Sequence, residues 1–264
     1  MKISRRSGAF CRILVLVCER RLAPVDPHPD KDFDAGNAHF LSYLIICIDI
    51  EWKRLQFHSG RRPLDSLAMF EQSMEEHLKV IQALRRELPV MQQIAEKMSL
   101  AILEGHKILW CGNGGSAADS QHLAAEFVGR FLRERRALPS IALTTNTSVL
   151  TAIGNDYGYD LVFRRQVEAI CTHGDVLVGI STSGNSKNVL NALTAGREMG
   201  AFTVAFVGAT GGAIAEIADA SIKIPSTETP RIQEGHILCG HMICDYVENR
   251  VCQAQTVEHV QVSH

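Results

Sequence analysis

The stretch ILWCGNGGSAADSQHLAAE, residues 108–126, joins an apolar strand, a glycine-rich turn and the start of a helix. A second stretch, VLVGISTSGNSKNVLNAL at 176–193, repeats this plan. Strands that are apolar throughout are buried on both faces, as in parallel sheets covered by helices. In such a sheet both polar loops follow the carboxyl ends of strands, where α/β sheets bind ligands. We therefore expect the two loops to line one shared cleft.

The same alternation of strands and helices continues beyond these two stretches. The apolar runs predict strands at Ile108–Cys111, Ser140–Leu143, Asp175–Ile180, Phe202–Val207 and Ser221–Ile224. The intervening segments predict helices at about 116–132, 147–154, 159–171, 186–199, 212–218 and 230–252. The pattern predicts an α/β fold with a doubly wound, mostly parallel five-stranded sheet flanked by helices.

The chain divides into two unequal parts. Met69–Leu88 carries apolar residues at helical spacings of three and four, and a second helix follows from Pro89 to before Gly105. The preceding residues mix arginine clusters with short apolar runs and show no sustained period. We expect residues 69–264 to form one domain. Residues 1–68 are expected to be an atypical extension, either poorly ordered or translated from an upstream start.

Composition limits the kinds of partner and compartment. The 264 residues carry a net charge of −2 and no basic block, which disfavours nucleic acid as a partner. The apolar runs at 12–18 and 40–48 are too short to span a bilayer, so no membrane partner is expected. The eight cysteines form no CxxC pair. We interpret them as reduced thiols in a cytoplasmic protein.

The two polar loops differ in what they can bind. Residues 112–116, GNGGS, match neither a Rossmann fingerprint nor a Walker A loop, although the glycines let backbone N–H groups approach a ligand. Residues 181–186, STSGNS, place four hydroxyls at a helix N-terminus. Hydroxyls, backbone N–H groups and a helix dipole together favour phosphate, whereas a simple cap would use only one or two hydroxyls.

His122 and Glu126 share one face of the first helix, where they can reach one metal ion or one substrate, although such pairs are often only surface contacts. The neighbouring apolar residues suggest burial, and a buried carboxylate needs a cation or a chemical role. Gln233 and His241 lie on the last helix, roughly 12 Å apart along a straight helix. Either that helix begins after Gln233 or the site is assembled from two chains.

Four motifs, GNGGSAAD with H-x-x-x-E, TAIGNDYG, ISTSGNS and RIQEGHILCGH, resemble the sugar isomerase (SIS) domain. Their combination resembles the phosphoheptose isomerase family, from about residue 69 to about residue 251. The resemblance implies a flavodoxin-like three-layer fold with N-terminal helices for oligomerisation. It implies conversion of sedoheptulose 7-phosphate to D-glycero-D-manno-heptose 7-phosphate through an enediol, as the first step towards nucleotide-activated heptose for lipopolysaccharide or other surface glycans. It also implies a homotetramer with active sites at subunit interfaces.

The resemblance also assigns residues to roles. It implies one Zn²⁺ per subunit, bound by His122, Glu126, Gln233 and His241. From the chemistry, we hypothesise that Glu126 is the general base and His241 the acid. A carboxylate bound tightly to zinc is a poorer base, so either the metal geometry shifts during turnover or zinc mainly organises the site. The sugar phosphate would contact Asn113, Gly114, Gly115, Arg130, Asn155, Asp156, Ser181, Thr182, Ser183, Ser186 and Gln233. Carboxylate and imidazole suit the proton transfers of an aldose–ketose isomerisation, and zinc would polarise the carbonyl.

Two other functions share this fold. Some related proteins bind a replication initiator without known catalysis, but they lack the complete histidine–glutamate–histidine set that this chain retains. Other SIS proteins isomerise amino-sugar phosphates or sense sugar phosphates. They usually carry a second SIS domain or a DNA-binding domain, which residues 1–65 do not resemble.

Overall fold

The computed structural model describes residues 66–262, with side chains described as far as residue 254. The predicted extension therefore lies outside the described residues, apart from its last three. Those three belong to the first helix, which begins at Ser66.

A parallel sheet forms the centre of the domain. Its strands are β1 (Ile108–Gly112), β2 (Ser140–Ala142), β3 (Val176–Ser181), β4 (Phe202–Val207) and β5 (Ala220–Lys223). They lie in the order β2-β1-β3-β4-β5, and every described pairing is parallel. The predicted doubly wound five-stranded sheet is confirmed, with the strand order of flavodoxin-like folds.

Helices precede the sheet and connect its strands. They are α1 (Ser66–Ala83), α2 (Leu88–Leu103), α3 (Gly115–Val128), α4 (Thr147–Tyr157), α5 (Arg164–Ile170), α6 (Lys187–Glu198), α7 (Gly212–Ile217) and α8 (Thr229–Val262). Short 3₁₀ turns lie at Leu84–Glu87 and Tyr159–Leu161. Between residues 66 and 262, no helix combines the length and apolar character that a bilayer crossing requires.

The sheet separates two apolar layers because successive strand residues point to opposite faces. On one face, Trp110 and Phe206 pack with α2, α3 and α8. On the other face, Leu109 and Val207 pack with α5, α6 and α7. The continuous apolar strands of the sequence are thus buried on both sides, as predicted.

Three predicted helix boundaries are wrong. The helix predicted at 116–132 ends at Val128 with Gly129 as its C-cap, and Glu248 of α8 binds the backbone N–H groups of residues 131–133 that would continue it. The segment predicted as one helix at 159–171 contains a 3₁₀ turn and then the shorter α5. The last helix continues to Val262 rather than ending near residue 252.

Among the residues that the structure describes, nothing covers one apolar face of helix α1. Phe70, Met74 and Leu78 are 68%, 66% and 56% exposed. Spacings of four residues place these side chains on one face of the helix. An apolar stripe of this kind is usually covered by another protein surface.

Asp175 joins the ends of β1 and β3 away from the polar loops. Its fully buried carboxylate accepts the backbone N–H of Lys107 at 3.0 Å and of Thr172 at 2.7 Å, and lies 2.7 Å from Lys107 Nζ. Burial alone would raise the pKa of Asp175. The hydrogen bonds and the charge of Lys107 instead hold the pKa below its ordinary value of 3.8.

Asp175→Asn is expected to lower the free energy of unfolding by about 3–5 kcal/mol, because it removes one partner of a buried ion pair. The depressed pKa stabilises the fold above the ordinary carboxylate value, and this contribution disappears as pH falls through the folded-state pKa. Urea unfolding at neutral pH and at about pH 3 measures both effects, and the variant's loss should shrink at the lower pH. Glu168→Gln, which removes an exposed ion pair with Arg164, should cost under about 1 kcal/mol. Equal losses in the two variants would contradict the prediction.

Candidate active site

The two polar loops lie side by side, because β1 and β3 are neighbouring strands with Gly112 paired to Ile180. A reciprocal amide pair connects them. Asn113 Nδ2 donates to Asn188 Oδ1 at 2.9 Å, and Asn188 Nδ2 donates to Asn113 Oδ1 at 2.8 Å. The predicted juxtaposition of the two loops is confirmed.

The second loop is held in a defined shape by its neighbours. Ser181 Oγ and Ser186 Oγ lie 2.9 Å apart, and Ser183 Oγ accepts the N–H of Asn185 at 3.2 Å. Gly184 has a φ of 67°, and a Cβ there would collide with the carbonyl oxygen of Gly211. The loop therefore requires glycine at position 184. Thr182, which carries the remaining hydroxyl of the loop, directly follows β3 and is half-buried.

Three candidate metal ligands meet next to α3. His122 Nε2 lies 3.0 Å from His241 Nε2 and 3.1 Å from Glu126 Oε1, and the three ligand atoms all lie within 4.8 Å of one another. His122 and Glu126 are one turn apart on α3, and α8 contributes His241. The structure thus brings together three of the four residues in the predicted metal set.

The spacing and chemistry of these atoms suit zinc. Two imidazole nitrogens and one carboxylate oxygen form a ligand set typical of catalytic zinc sites, which leave the fourth position open. Ligands at the usual bond lengths of a tetrahedral zinc ion lie about 3.3 Å from each other. The two measured distances, 3.0 and 3.1 Å, are close to that value.

The face of α3 that carries these ligands is more open than the sequence suggested. Of the apolar residues expected to be buried, Leu123, Ala124 and Phe127 are buried, whereas Ala125 and Val128 are exposed. The side chain of His122 is 50% exposed. The prediction of a largely buried helix is wrong on this side, because the buried residues face the sheet and the ligands point away from it.

Gln233 lies away from the histidine–glutamate cluster of its own chain. A Cβ on Gly115 would collide with Gln233 Nε2, so the glutamine amide packs against the first polar loop. Helix α8 begins at Thr229 and therefore includes Gln233. The alternative that the helix starts after Gln233 is therefore wrong, and assembly of the site from two chains stays a prediction.

The remaining predicted contacts lie around the loops. Gly114, with a φ of 55°, and Gly115 begin α3. Asn155 and Asp156 lie exposed near the end of α4, where Asn155 Nδ2 donates to Asp156 Oδ1 at 2.8 Å. Arg130 is exposed just after α3 and lies 3.8 Å from Glu134. No described side chain joins Arg130 to the histidine–glutamate cluster.

Two polar groups near the cluster are unusual. His236 on α8 is fully buried beside Phe206, and burial lowers its pKa to about 4 against the opposing effect of the Val207 backbone. His236 is therefore neutral at physiological pH. Burial also raises the pKa of Asp119, one turn before His122, while the charge of that histidine opposes the shift.

Sequence reasoning missed two residues of the cleft. Asn188 is 3% exposed and holds Asn113, and the Tyr159 hydroxyl donates to Asn113 Oδ1 at 3.3 Å. The signal in the sequence was an asparagine two residues after the hydroxyl-rich loop. This asparagine lies in the first turn of α6, where it is buried. Nothing local marks Tyr159, because it lies 46 positions after Asn113 in the chain.

Comparisons with known proteins agree with this geometry. The SIS domain profile matches residues 70–208. The phosphoheptose isomerase of Geobacter sulfurreducens is 57% identical over 174 residues, covering 66% of this chain and 92% of that protein. The corresponding protein of Aquifex aeolicus is 51% identical, covering 70% and 95%.

Solved structures of phosphoheptose isomerases are also similar to this chain. The phosphoheptose isomerase GmhA of Neisseria gonorrhoeae superposes with a TM-score of 0.66 at 44% identity, covering 69% of this chain and 98% of that chain. A phosphoheptose isomerase of Francisella tularensis superposes with a TM-score of 0.68 at 33% identity, covering 70% and 100%. The fold, the ligand cluster and these similarities together show that the chain belongs to the phosphoheptose isomerase family of SIS-domain proteins.

Proposed function

We propose that the protein converts sedoheptulose 7-phosphate into D-glycero-D-manno-heptose 7-phosphate. The observation that carries the proposal is that His241 of α8 meets His122 and Glu126 of α3, the helix that starts at the first polar loop. The family relationship supports it, because the similar proteins are phosphoheptose isomerases. The product would supply nucleotide-activated heptose for lipopolysaccharide or other surface glycans, and the reaction would take place in the cytoplasm.

Proton transfer is assigned to Glu126 and His241. Moving the carbonyl from C2 to C1 requires removal of a proton from one carbon and its return to the other through an enediol. A carboxylate and an imidazole are suitable as base and acid for these steps. Glu126 contacts His122 through Oε1, which leaves Oε2 as the oxygen that takes the proton. The His241 imidazole is assigned to the proton of the substrate hydroxyl.

A zinc ion completes the proposed site. His122, Glu126 and His241 would hold it, and Gln233 from a neighbouring chain would add a further oxygen. When bound, zinc polarises the substrate carbonyl and stabilises negative charge on the enediolate oxygen. Because the Glu126 carboxylate has two oxygens, one can face the ion while the other faces the substrate.

The sugar phosphate is assigned to the paired loops. The hydroxyls of the second loop, together with the N-terminus of α6, suit a phosphate group. The wall formed by Asn113, Gly114 and Gly115 would contact the sugar, and Asn155 and Asp156 would contact it from α4. The Asn113 side chain is already held by Asn188 and Tyr159, so it offers a rigid contact.

The oligomer is proposed to be a homotetramer with active sites at subunit interfaces. The exposed apolar face of α1 supports this, because a second copy of the chain would cover it. The separation of Gln233 from its own chain's cluster also supports it. A neighbouring copy can present Gln233 to the exposed side of the His122–Glu126 pair.

The direct test is incubation of the metal-loaded protein with sedoheptulose 7-phosphate, with and without a chelator. We expect heptose 7-phosphate to form, because the proposed site can transfer a proton between C1 and C2, and we expect a chelator to slow the reaction at least about 10-fold because charge stabilisation by the metal is lost. Re-addition of Zn²⁺ should restore the rate. Absence of product from the metal-loaded protein would contradict the proposed function. Product formation at full rate with chelator would contradict the metal's role.

A further inference from the structure

Glu248 on α8 binds the segment that follows α3. Its carboxylate is 1% exposed and accepts three consecutive backbone N–H groups, from Phe131 at 2.9 Å, Leu132 at 2.7 Å and Arg133 at 2.8 Å. Burial alone would raise the pKa of Glu248, but these hydrogen bonds and the Arg135 charge hold it below its ordinary value. The carboxylate therefore remains charged and holds the segment throughout the physiological pH range.

Arg135 extends this contact to the end of α3. Its side chain is 1% exposed, and Nε donates to Glu248 Oε1 at 3.0 Å. The guanidinium also donates to the backbone carbonyls of Glu126 at 2.8 Å and Phe127 at 2.9 Å. Because a helix leaves its last carbonyls without partners, Arg135 caps α3 at the turn that carries Glu126.

Phe131 connects the same segment to the second helix of the cluster. The rings of Phe131 and His241 have centroids 5.5 Å apart at an interplanar angle of 37°. His241 and Glu248 are seven residues apart on α8, which is about two turns, so they lie on the same helix face. The Phe131 ring contacts His241, and the Phe131 N–H is bound by Glu248.

We propose that Glu248 is a positioning residue for the cluster of His122, Glu126 and His241. Glu248 acts through Arg135 on the backbone of α3, and through Phe131 on the imidazole of His241. It thereby fixes the distance between the two helices that supply the metal and proton-transfer groups. This inference deepens the proposed function and rests on it.

The chain offers a matched control for this role. Asp245, one turn earlier on α8, pairs with Arg133 of the same segment at 3.1 Å, but both side chains are more than 40% exposed. Asp245→Asn removes an exposed ion pair between the same two elements. Glu248→Gln removes the buried charge and directs an amide N–H₂ at backbone donors. The comparison separates the buried anchor from a general contact between α8 and the segment.

The experiment measures metal affinity as well as turnover in full-length Glu248→Gln, Phe131→Leu, their double variant and Asp245→Asn. The Kd of Zn²⁺ is obtained by competition with a chromophoric chelator. We expect Glu248→Gln to raise this Kd about 10- to 100-fold, as loss of groups that orient metal ligands does. We expect kcat to fall about 10-fold with KM changed less than about 3-fold, because the substrate loops are untouched. Asp245→Asn should match the wild type.

The double variant tests the route through Phe131. If Glu248 acts on His241 partly through Phe131, the effect of Glu248→Gln should be smaller in the Phe131→Leu background. Unchanged Zn²⁺ affinity and kcat in folded Glu248→Gln would overturn the proposal, as would strict additivity of the two effects. If Glu248→Gln fails to fold, Phe131→Leu alone must raise the Kd, and a wild-type Kd would overturn the proposal.

Failure of the proposed function would be distinguishable from failure of this inference. Wild-type protein that binds Zn²⁺ but leaves sedoheptulose 7-phosphate unchanged would contradict the function. The positioning role would then be tested only by the Kd values of Zn²⁺ for the wild type and the variants.

Discussion

Replacing Glu126 by Gln is expected to lower kcat for isomerisation by about 10²–10⁴-fold, the usual contribution of a positioned general base. The amide has the size of the carboxylate but cannot accept the proton from carbon. KM should change far less, because the residues assigned to phosphate binding lie on a different loop. The measurement is steady-state conversion of sedoheptulose 7-phosphate at saturating Zn²⁺, with Glu216→Gln as an exposed carboxylate control.

Solvent exchange separates the two roles of Glu126. In D₂O, a base that removes a carbon-bound proton allows deuterium to enter the sugar at C1 or C2. Glu126→Gln should lose this incorporation together with turnover, even when Zn²⁺ occupies the site. Near-normal isomerisation by the variant would show that the base assignment is wrong. Full recovery of the rate by excess Zn²⁺ would show that Glu126 serves only as a ligand.

Features that depend on neighbouring residues were predictable from the sequence. The buried strands, their parallel pairing and the two loops at their carboxyl ends follow from continuous apolar runs and from the glycine- and hydroxyl-rich turns after them. The His122–Glu126 pair follows from helical spacing, which brings residues four apart onto one face. The structure confirms each of these features.

Features that depend on distant residues were not predictable. Gly129 caps the end of α3 and is a local stop signal, but the path of the chain after it is determined by Glu248. Glu248 lies 117 residues after Phe131 in the chain, and nothing near residue 128 indicates that carboxylate. The exposure of the ligand face of α3 also depends on distant residues, because it is decided by which face of the helix packs against the sheet. His241 enters the site through the crossing of α8 and α3, which only the family resemblance indicated.

Gln233 cannot reach the metal cluster of its own chain, so its role as a ligand depends on how the subunits assemble. Helix α8 is continuous from Gln233 to His241, a separation of about 12 Å along the axis. His241 contacts His122 of its own chain, while Gln233 packs against Gly115. If Gln233 is a ligand, it serves the site of a neighbouring copy. A closed symmetric oligomer would give every site one such glutamine.

Mixing two inactive variants is therefore expected to restore activity. Glu126→Gln and Gln233→Ala should each be inactive alone, because each lacks one essential group in every site. In mixed oligomers, about a quarter of the sites would combine an intact cluster from one chain with an intact Gln233 from the other, if exchange is random. Activity should rise to roughly that fraction of the wild-type rate.

The matched control mixes Glu126→Gln with His122→Ala. These residues belong to one helix of one chain, so no combination of subunits yields an intact cluster, and the mixture should remain inactive. Native mass spectrometry establishes that mixed oligomers have formed and counts their subunits, with four expected. Mixed oligomers of Glu126→Gln and Gln233→Ala without any gain in activity would contradict the shared site. Because only a residue contributed by the neighbouring chain can be supplied by mixing, the two mixtures together separate a shared site from one contained within a single subunit.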